Sequence, residues 1–307
     1  MNYRTLGKTG LRVSEIGFGS GPIGNKAGHW GAVDDRTSLA TLRRFFDLGG
    51  NFMDTSESYG DGHSEEIIGR AIRDIPRDQA IIATKCWKGK SGFSYNGILA
   101  SCEGSLKRLG VDCIDVYQLH SPGIEDLKKD DCFDALRKLR EDGKVRCIAV
   151  AAGSRDEEVA LILPHKIDAW QITLNLLDHR AKRNFLPAYR EHGIGVISRL
   201  PLQRGFLSGK YTVDSTFRED DQRSGWPRER IVDTVHKVDA LRFLVGGPVK
   251  TMAQAAQRWV LMYPEVSTII TGAKTPDQVA ENCAVSDLPS FAQDQMQRVD
   301  ALHATWR

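Results

Sequence analysis

Residues 51–72 read NFMDTSESYGDGHSEEIIGRAI and contain one complete unit of strand, loop and helix. An apolar run ends at Asp54, a polar loop carries Tyr59, and a stretch with helical spacing of apolar residues follows. In α/β proteins the loops after parallel strands carry many of the binding and catalytic groups. The stretch therefore predicts a parallel β/α architecture with a functional site on this loop.

Similar units recur along the chain. We predict eight strands, each followed by a loop and a helical pattern, which end near Gly19, Asp54, Thr84, Gln118, Val150, Thr173, Ser198 and Ile270. The first helix, RTSLATLRRFFDLGG, stops at a Gly-Gly signal and has its apolar residues roughly on one side, at Leu39, Leu42, Phe46 and Leu48. Eight such units in 307 residues predict an α/β fold, a closed (β/α)8 TIM barrel.

We expect residues 1–307 to form a single barrel domain, because no low-complexity segment or Pro/Ser-rich linker divides the chain. The opening YRTLGKTGLRVSEI predicts an N-terminal β-hairpin, since a Lys-Thr-Gly turn separates two short extended runs. The alternative is an open doubly wound sheet with a dinucleotide fingerprint in GFGSGPIG. Such a fingerprint opens straight into a helix, and here a long loop intervenes. We interpret Gly19, Ser20 and Gly21 instead as backbone that approaches a ligand.

Composition favours a small-molecule partner. Lys and Arg total 42 against 40 Asp and Glu, so a net charge of +2 gives no reason to expect nucleic acid or an acidic membrane. Six cysteines form no Cys-x-x-Cys pair, which suits a reducing compartment. No run approaches the roughly 18 apolar residues of a membrane span. We expect a cytoplasmic protein, and the sequence leaves the oligomeric state open.

Two more titratable side chains lie near the ends of later strands, Lys85 in IIATKCW and His120 in DVYQLHSP. A tyrosine is a poor acid at neutral pH, and a nearby ammonium favours the phenolate and so eases proton donation. Lys85 can act in this way on Tyr59, with Asp54 as its counter-charge. A neutral His120 can direct a carbonyl oxygen. Because side chains supply no hydride, this acid site predicts a nicotinamide or equivalent cofactor.

Each of these residues also fits a structural role when taken singly. Asp54 fits a cap, Tyr59 a turn, Lys85 a surface position, and His120 a hydrogen bond at a strand end. All four at the catalytic face of one barrel favour a functional site. A metal site built from Asp54, His63 and His120 matches no known ligand spacing, so we expect no metal.

The chain resembles the bacterial-type aldo-keto reductases over nearly its whole length. The motifs that carry the resemblance are YRTLGKTGLRVSEIGFGSGPIG, MDTSESYGDGHSEEIIGRAI, IIATKCW, SLKRLGVDCIDVYQLHSP, LREDGKVRCIAV, PLQRGFLSGKY and IITGAKTPDQVAEN. The resemblance implies a (β/α)8 barrel that binds NADPH in extended form and reduces an aldehyde or ketone. It also implies a catalytic tetrad of Asp54, Tyr59, Lys85 and His120, with Tyr59 as general acid.

The same resemblance nominates residues that bind the cofactor NADP(H). PLQRGFLSGK is similar to the family's loop over the pyrophosphate, which nominates Pro201, Leu202, Arg204, Gly205, Leu207 and Lys210. GAKTPDQVAEN is similar to the adenosine segment, which nominates Gly272, Lys274, Thr275, Gln278, Glu281 and Asn282. Lys274 is the cation suited to a 2′-phosphate and favours NADP over NAD. Gln171 is similar to the residue that binds the nicotinamide carboxamide.

Two positions depart from the family pattern. Many members carry Ser-Asn after the fifth strand to bind the carboxamide, whereas this chain has Ala151 and Ala152. The missing hydrogen bonds would weaken nicotinamide orientation unless Gln171, Ser154 or water compensates. Arg199 stands where an aromatic ring usually stacks on the nicotinamide. A guanidinium also stacks on rings, and its charge would favour an anionic or hydroxylated substrate.

Substrate identity is less defined by the sequence. Trp30 and Trp87 lie in loops expected to rim the pocket, which suits a sugar or hydroxylated aldehyde, and Lys88, Lys90 and Arg223 suggest an acidic group on it. One alternative is an NADP-binding sensor with little turnover, of the kind that the ion-channel β subunits represent in this superfamily. Another is a sugar-modifying enzyme that uses nicotinamide transiently.

Overall fold

A computed structural model describes residues 1–24, 31–153 and 155–306. In that part of the chain the strands are β1 Tyr3–Thr5, β2 Arg12–Ser14, β3 Ile16–Gly19, β4 Phe52–Asp54, β5 Ile81–Trp87, β6 Ile114–His120, β7 Val145–Ala151, β8 Ala169–Thr173, β9 Gly195–Arg199 and β10 Val266–Gly272. The α-helices are α1 Asp35–Asp47, α2 His63–Ala71, α3 Lys88–Ser91, α4 Tyr95–Leu109, α5 Ile124–Leu127, α6 Asp131–Glu141, α7 Asp156–Ile162, α8 Arg180–Asn184, α9 Leu186–His192, α10 Arg228–Ala240, α11 Met252–Leu261, α12 Pro276–Ala284 and α13 Gln293–Thr305.

Strands β3 to β10 form a closed parallel barrel in the order β10-β3-β4-β5-β6-β7-β8-β9. This confirms the (β/α)8 barrel and excludes the open doubly wound sheet. Three strands end where the sequence predicted, at Gly19, Asp54 and Thr173. The predicted ends of β5 and β6 were too early, because these strands stay paired with each other up to Trp87 and His120. The single-domain assignment of residues 1–307 stays a prediction.

The predicted N-terminal hairpin is present, and its apolar residues extend the barrel core. Strands β1 and β2 pair antiparallel, and Leu6, Leu11 and Val13 share an apolar cluster with barrel residues such as Phe52. The turn requires glycine at Gly7, where φ is 52° and a Cβ would collide with the backbone around Gly195. The hairpin is therefore held against the start of β9.

Inside the barrel an apolar layer lies beneath a polar one. Ala83, Val116, Ala169 and Ile197 belong to one buried apolar cluster. Side chains of a strand alternate between its two faces, so the residue two positions further along returns to the same face. At those positions stand Lys85, Gln118, Gln171 and Arg199. The carboxyl end of the barrel is therefore lined with polar and charged groups.

The predicted apolar face of helix α1 packs against the core, but the prediction missed Phe45. The helix begins after Asp34, whose side chain accepts a hydrogen bond from Thr37 N. Its fully buried apolar residues are Leu42 and Phe45, whereas Leu39 and Phe46 are only partly buried. The centre of the face against the barrel therefore includes Phe45, one position before the predicted Phe46. Within the residues that the structure describes, no helix is long and apolar enough to cross a membrane.

Candidate active site

The centre of the site is an ion pair between Asp54 at the end of β4 and Lys85 on β5. Lys85 Nζ donates to Asp54 Oδ2 at 2.6 Å and to the carbonyl oxygen of Thr55 at 2.6 Å. Lys85 is fully buried and Asp54 is 1 % exposed. These contacts use two of the three N–H groups of the ammonium. A charge pair shielded from water in this way acts more strongly on its neighbours than one at the surface.

Tyr59 reaches this pair from a tight turn after β4. Gly60 and Asp61 both have positive φ, 60° and 56°, and reverse the chain before α2 begins. The Lys85 ammonium lies 5.2 Å from the centroid of the Tyr59 ring. The ring meets that of His120 edge-on, with 5.8 Å between centroids and 87° between planes. The structure thus brings all four predicted tetrad residues together.

His120 is held in a neutral state. Its Nδ1 lies 3.0 Å from Ser56 Oγ. Burial, assisted by the charges of Lys85 and Arg199, lowers the pKa of His120 to about 3. Removing a cationic imidazole from water is unfavourable, and two nearby cations add to that effect. At neutral pH the ring can therefore accept or donate a hydrogen bond without carrying charge.

Arg199 ends β9 on the same side of the barrel. Its Nε donates to Thr173 Oγ1 at 3.3 Å, and its Nη1 lies 3.5 Å from Ser121 Oγ. Burial lowers the pKa of Arg199, although the charge of Asp54 opposes the shift. Two hydroxyl contacts leave much of the hydrogen-bonding capacity of a guanidinium for a ligand.

Gln171 makes a contact that the sequence did not predict. Its Nε2 donates to Asp54 Oδ1 at 2.7 Å and to Gln118 Oε1 at 3.2 Å. Ala151, its partner across the strand pair, is fully buried, and Ala152 is 1 % exposed. Ser154, considered above as a compensating group, lies outside the described residues.

The loop after β9 bends sharply where the cofactor loop was predicted. Leu200, Gln203 and Arg204 all have positive φ, and Gly205 follows with φ 90°. Arg223 Nη1 donates to the Arg204 carbonyl oxygen at 2.8 Å and so ties the bend down. The remaining nominated residues of this loop are Pro201, Leu202, Leu207 and Lys210, of which Pro201 and Leu207 are buried.

The predicted adenosine segment lies beside the glycine loop of β3, since Gly19 pairs with Gly272. Ser20, next in that loop, is buried and its backbone donates to Asp54 O at 2.9 Å; Gly21 follows it. Thr275 caps α12 by accepting from Gln278 N at 3.3 Å. Lys274, just before this cap, has its pKa lowered by burial and then by the cations Lys210 and Arg223.

Two nominated cofactor residues are engaged within the protein. Glu281 Oε1 accepts from Thr251 Oγ1 at 2.8 Å, and Asn282 Oδ1 accepts from Gln257 Nε2 at 3.0 Å. Asn282 is 8 % exposed. These contacts join α12 to α11, so both side chains also have a part in packing the two helices together.

Comparison with known proteins identifies the family. The sequence model of the Aldo/keto reductase family matches residues 15–304. The chain belongs to the aldo/keto reductase family. It is 32 % identical to Aldo-keto reductase YhdN of Bacillus subtilis, over 96 % of this chain and 92 % of that protein. It is 30 % identical to a probable voltage-gated potassium channel subunit beta of Oryza sativa, over 98 % of this chain and 96 % of that protein.

A solved aldo-keto reductase from Bacillus halodurans, in its holo form, superimposes with a TM-score of 0.81 at 26 % identity, and the match covers 98 % of this chain and 96 % of that one. The barrel and the enzyme class predicted from the sequence, an oxidoreductase of this family, are thereby confirmed. Members of the family use nicotinamide cofactors, as the sequence also predicted.

Of the two residues predicted to contact the substrate of this aldo-keto reductase, the structure describes Trp87. Trp87 ends β5 beside His120 and is 45 % exposed, at the rim of the site. Trp30 lies outside the described residues. His63, considered above as a metal ligand, lies 2.9 Å from Asp35 and 3.2 Å from Glu66. Its imidazole thus has partners away from the tetrad.

The cations expected to attract an acidic substrate already have acidic partners. Lys88 Nζ lies 2.7 Å from Asp126, and Lys90 Nζ lies 2.6 Å from Asp61. Arg223 is paired with Asp221. Each positive charge is largely offset where it stands, which weakens the sequence argument for an acidic substrate at these three positions.

Sequence reasoning missed two buried residues of the site. Gln118 is fully buried, and its Nε2 donates to Asp54 Oδ1 at 3.1 Å. It stands two residues before His120, so strand alternation could have identified it as a group on the same face. Glu57 is 2 % exposed, and its Oε1 accepts from Trp87 N at 2.6 Å. This contact ties the Tyr59 loop to the end of β5.

Proposed function

We propose that this aldo-keto reductase reduces an aldehyde or ketone to the alcohol with NADPH, with Tyr59 as the proton donor. The observation that carries the proposal is the buried Asp54–Lys85 pair, whose ammonium lies 5.2 Å from the Tyr59 ring centroid. A cation so close to a phenol favours loss of the phenolic proton. The cofactor supplies a hydride to the carbonyl carbon, and the protein supplies the proton.

The residues of the site divide this work among themselves. Tyr59 donates its proton to the carbonyl oxygen as negative charge develops there, and the Lys85 charge stabilises the phenolate that remains. Asp54 holds the Lys85 ammonium in position through a hydrogen bond. Neutral His120 hydrogen-bonds the carbonyl oxygen and directs it toward Tyr59. The phenolate then recovers a proton from water, which completes the cycle.

A cluster of cations supports NADP over NAD as the cofactor. Lys210 and Arg223 are close enough to Lys274 to lower its pKa. A cation whose pKa is lowered by neighbouring cations is stabilised when an anion binds beside it. The 2′-phosphate of NADP is such an anion. Lys274 from the predicted adenosine segment and Lys210 from the predicted pyrophosphate loop are therefore the cations suited to it.

The site favours a sugar or another hydroxylated carbonyl as substrate. Trp87 offers an exposed aromatic face next to His120. Hydroxyls of Ser121 and Thr173 stand beside Arg199. Because Lys88 and Lys90 are paired with carboxylates, Arg199 is the cation that remains suited to an acidic group on the substrate. Its guanidinium can bind a carboxylate through two parallel hydrogen bonds.

A binding or sensing protein with little turnover is the second candidate. It is supported by the buried methyl groups of Ala151 and Ala152, where many members have carboxamide-binding side chains. A loosely oriented nicotinamide would still bind but would transfer hydride slowly. One relative is named as a probable voltage-gated potassium channel subunit beta, a name that states no reaction.

The test is a panel of aldehydes, ketones and sugars assayed with NADPH and with NADH, for the parent protein and Tyr59→Phe. The proposal expects NADPH oxidation that is about 100-fold or more slower in Tyr59→Phe, because the proton donor is gone. An uncharged sugar aldehyde and its uronic acid, compared in the parent and Arg199→Met, test the substrate class. Saturable NADPH binding with equal, very slow turnover in parent and Tyr59→Phe would favour the sensor.

A further inference from the structure

Two glutamine amides lie against the catalytic ion pair, and the proposed mechanism gives neither of them a part there. Gln118 Nε2 and Gln171 Nε2 both donate to Asp54 Oδ1, at 3.1 and 2.7 Å. Gln118 is fully buried and Gln171 is 2 % exposed. The two side chains come from β6 and β8 and meet inside the barrel.

The chemistry of the carboxylate determines which way both amides point. An ionised carboxylate accepts hydrogen bonds and cannot donate, so each glutamine must turn its nitrogen toward Asp54. Gln171 Nε2 also donates to Gln118 Oε1 at 3.2 Å, which joins the two amides in one network. Both N–H bonds of Gln171 are thereby used inside the protein, and only its oxygen remains for the cofactor.

The two oxygens of Asp54 consequently have different tasks. Oδ1 accepts from the two amides, and Oδ2 accepts from Lys85 at 2.6 Å. Contacts on both oxygens prevent the carboxylate from rotating about its Cβ–Cγ bond. Lys85 Nζ is then held between Asp54 Oδ2 and the Thr55 carbonyl oxygen. Without the amides, Oδ1 would be a buried acceptor that lacks both of these hydrogen bonds. Such a group destabilises the folded protein and favours a different orientation of the Asp54 carboxylate.

We propose that Gln118 and Gln171 act as an amide clamp that fixes Asp54 and, through it, the position of the Lys85 ammonium beneath Tyr59. Gln118 is thus a positioning residue for proton transfer, two residues before His120 on the same strand. This inference rests on the proposed reduction. It adds that an uncharged hydrogen-bond donor at position 118 is needed for chemistry, beyond its contribution to packing.

The two informative changes at this position are Gln118→Met and Gln118→Glu. Methionine has nearly the shape of glutamine and removes the donor. Glutamate keeps the shape and can donate to Asp54 while it holds a proton, whereas its ionised form repels Asp54. Gln254→Met is the matched control. Gln254 is also buried, but it lies on the first turn of α11, where its Oε1 accepts from Lys250 N in the segment before the helix.

We would measure kcat, KM, NADPH affinity and the pH profile for these variants, together with the side-chain ¹⁵N signal of Lys85 by NMR. In Gln118→Met we expect kcat to fall about 10- to 100-fold, with KM and NADPH affinity within about twofold of the parent. Gln118→Glu should regain activity at acidic pH and lose it as pH rises. The Lys85 signal should shift in both variants and stay unchanged in Gln254→Met.

Unchanged kcat and an unchanged Lys85 signal in Gln118→Met would overturn the clamp. So would equal losses in Gln118→Met and Gln118→Glu with the same pH profile, because a packing defect does not depend on a proton at position 118. A parent protein that reduces no carbonyl would refute the proposed function instead. In that case the Lys85 signal still decides whether Gln118 positions the ammonium.

Discussion

Replacing either member of the Asp54–Lys85 pair should destabilise the protein strongly, and replacing both should destabilise it less than the two changes added together. Lys85 is fully buried and Asp54 is 1 % exposed, with 2.6 Å between Nζ and Oδ2. Breaking a buried pair by removing one partner typically costs about 3–5 kcal/mol, because an uncompensated charge is left behind.

The geometry gives each single change its own defect. In Asp54→Asn, the N–H₂ group of the new amide must face hydrogen-bond donors, because Lys85 donates on one side and Gln118 and Gln171 donate on the other. In Lys85→Met, the Asp54 carboxylate keeps two amide donors but loses its counter-charge. In the double variant the asparagine oxygen can face the glutamines and its nitrogen the methionine. We therefore expect a coupling free energy of at least about 2 kcal/mol.

The assay is urea unfolding at equilibrium, followed by tryptophan fluorescence, for the parent, both single variants and the double variant. Each single change should lower the free energy of unfolding by about 3–5 kcal/mol, and the double variant should fall short of the sum. Additivity within about 0.5 kcal/mol would refute the reasoning, because it would mean that the two groups do not interact in the folded protein.

Three further predictions follow from individual contacts. Burial lowers the pKa of His179 to about 3, so between about pH 3 and 6.5 this side chain binds a proton only in the unfolded chain. As pH falls from 7 to 5 it should lower stability by up to about 1.4 kcal/mol per pH unit, and His179→Phe should remove that contribution from urea-measured stability while the similar contribution of His120 remains. Lys274→Met should raise the NADPH Kd about tenfold and leave the NADH Kd unchanged in fluorescence titrations, whereas the control Lys129→Met should change neither Kd. Equal losses of affinity for both cofactors would contradict a 2′-phosphate contact. Gly7→Ala should lower the free energy of unfolding by more than about 2 kcal/mol. Gly10 also has a positive φ, 77°, but open space surrounds it, so Gly10→Ala should lower that free energy by only about 1 kcal/mol. Equal effects of the two changes would contradict the close approach of Gly7 to Gly195.

The sequence predicted the barrel because its strands and helices alternate with clear periods. It also predicted that Asp54, Tyr59, Lys85 and His120 would meet, since parallel strands end at the same rim of a barrel. Exact strand ends were less predictable. Strand β5 continues to Trp87 because its pairing with β6 holds up to His120, and pairing between distant segments leaves little mark on the local sequence.

The contacts that the sequence did not predict are those between side chains far apart in the chain. Gln171 was expected at the cofactor, yet its N–H groups face Asp54 and Gln118. Lys88 and Lys90 were expected to attract a substrate, yet Asp126 and Asp61 hold them. Each of these outcomes depends on which loop folds against which, and residue type alone does not determine that.

The most direct test of the account is a single-turnover experiment. NADPH bound to the parent or to Tyr59→Phe is mixed rapidly with an accepted carbonyl, and the rate of NADPH oxidation is measured. If Tyr59 is the proton donor beside Lys85, the parent oxidises its bound NADPH in one fast phase. Tyr59→Phe then binds NADPH with the same Kd but oxidises it about 100-fold or more slowly. Equal rates of oxidation in the two proteins would contradict the central role of Tyr59.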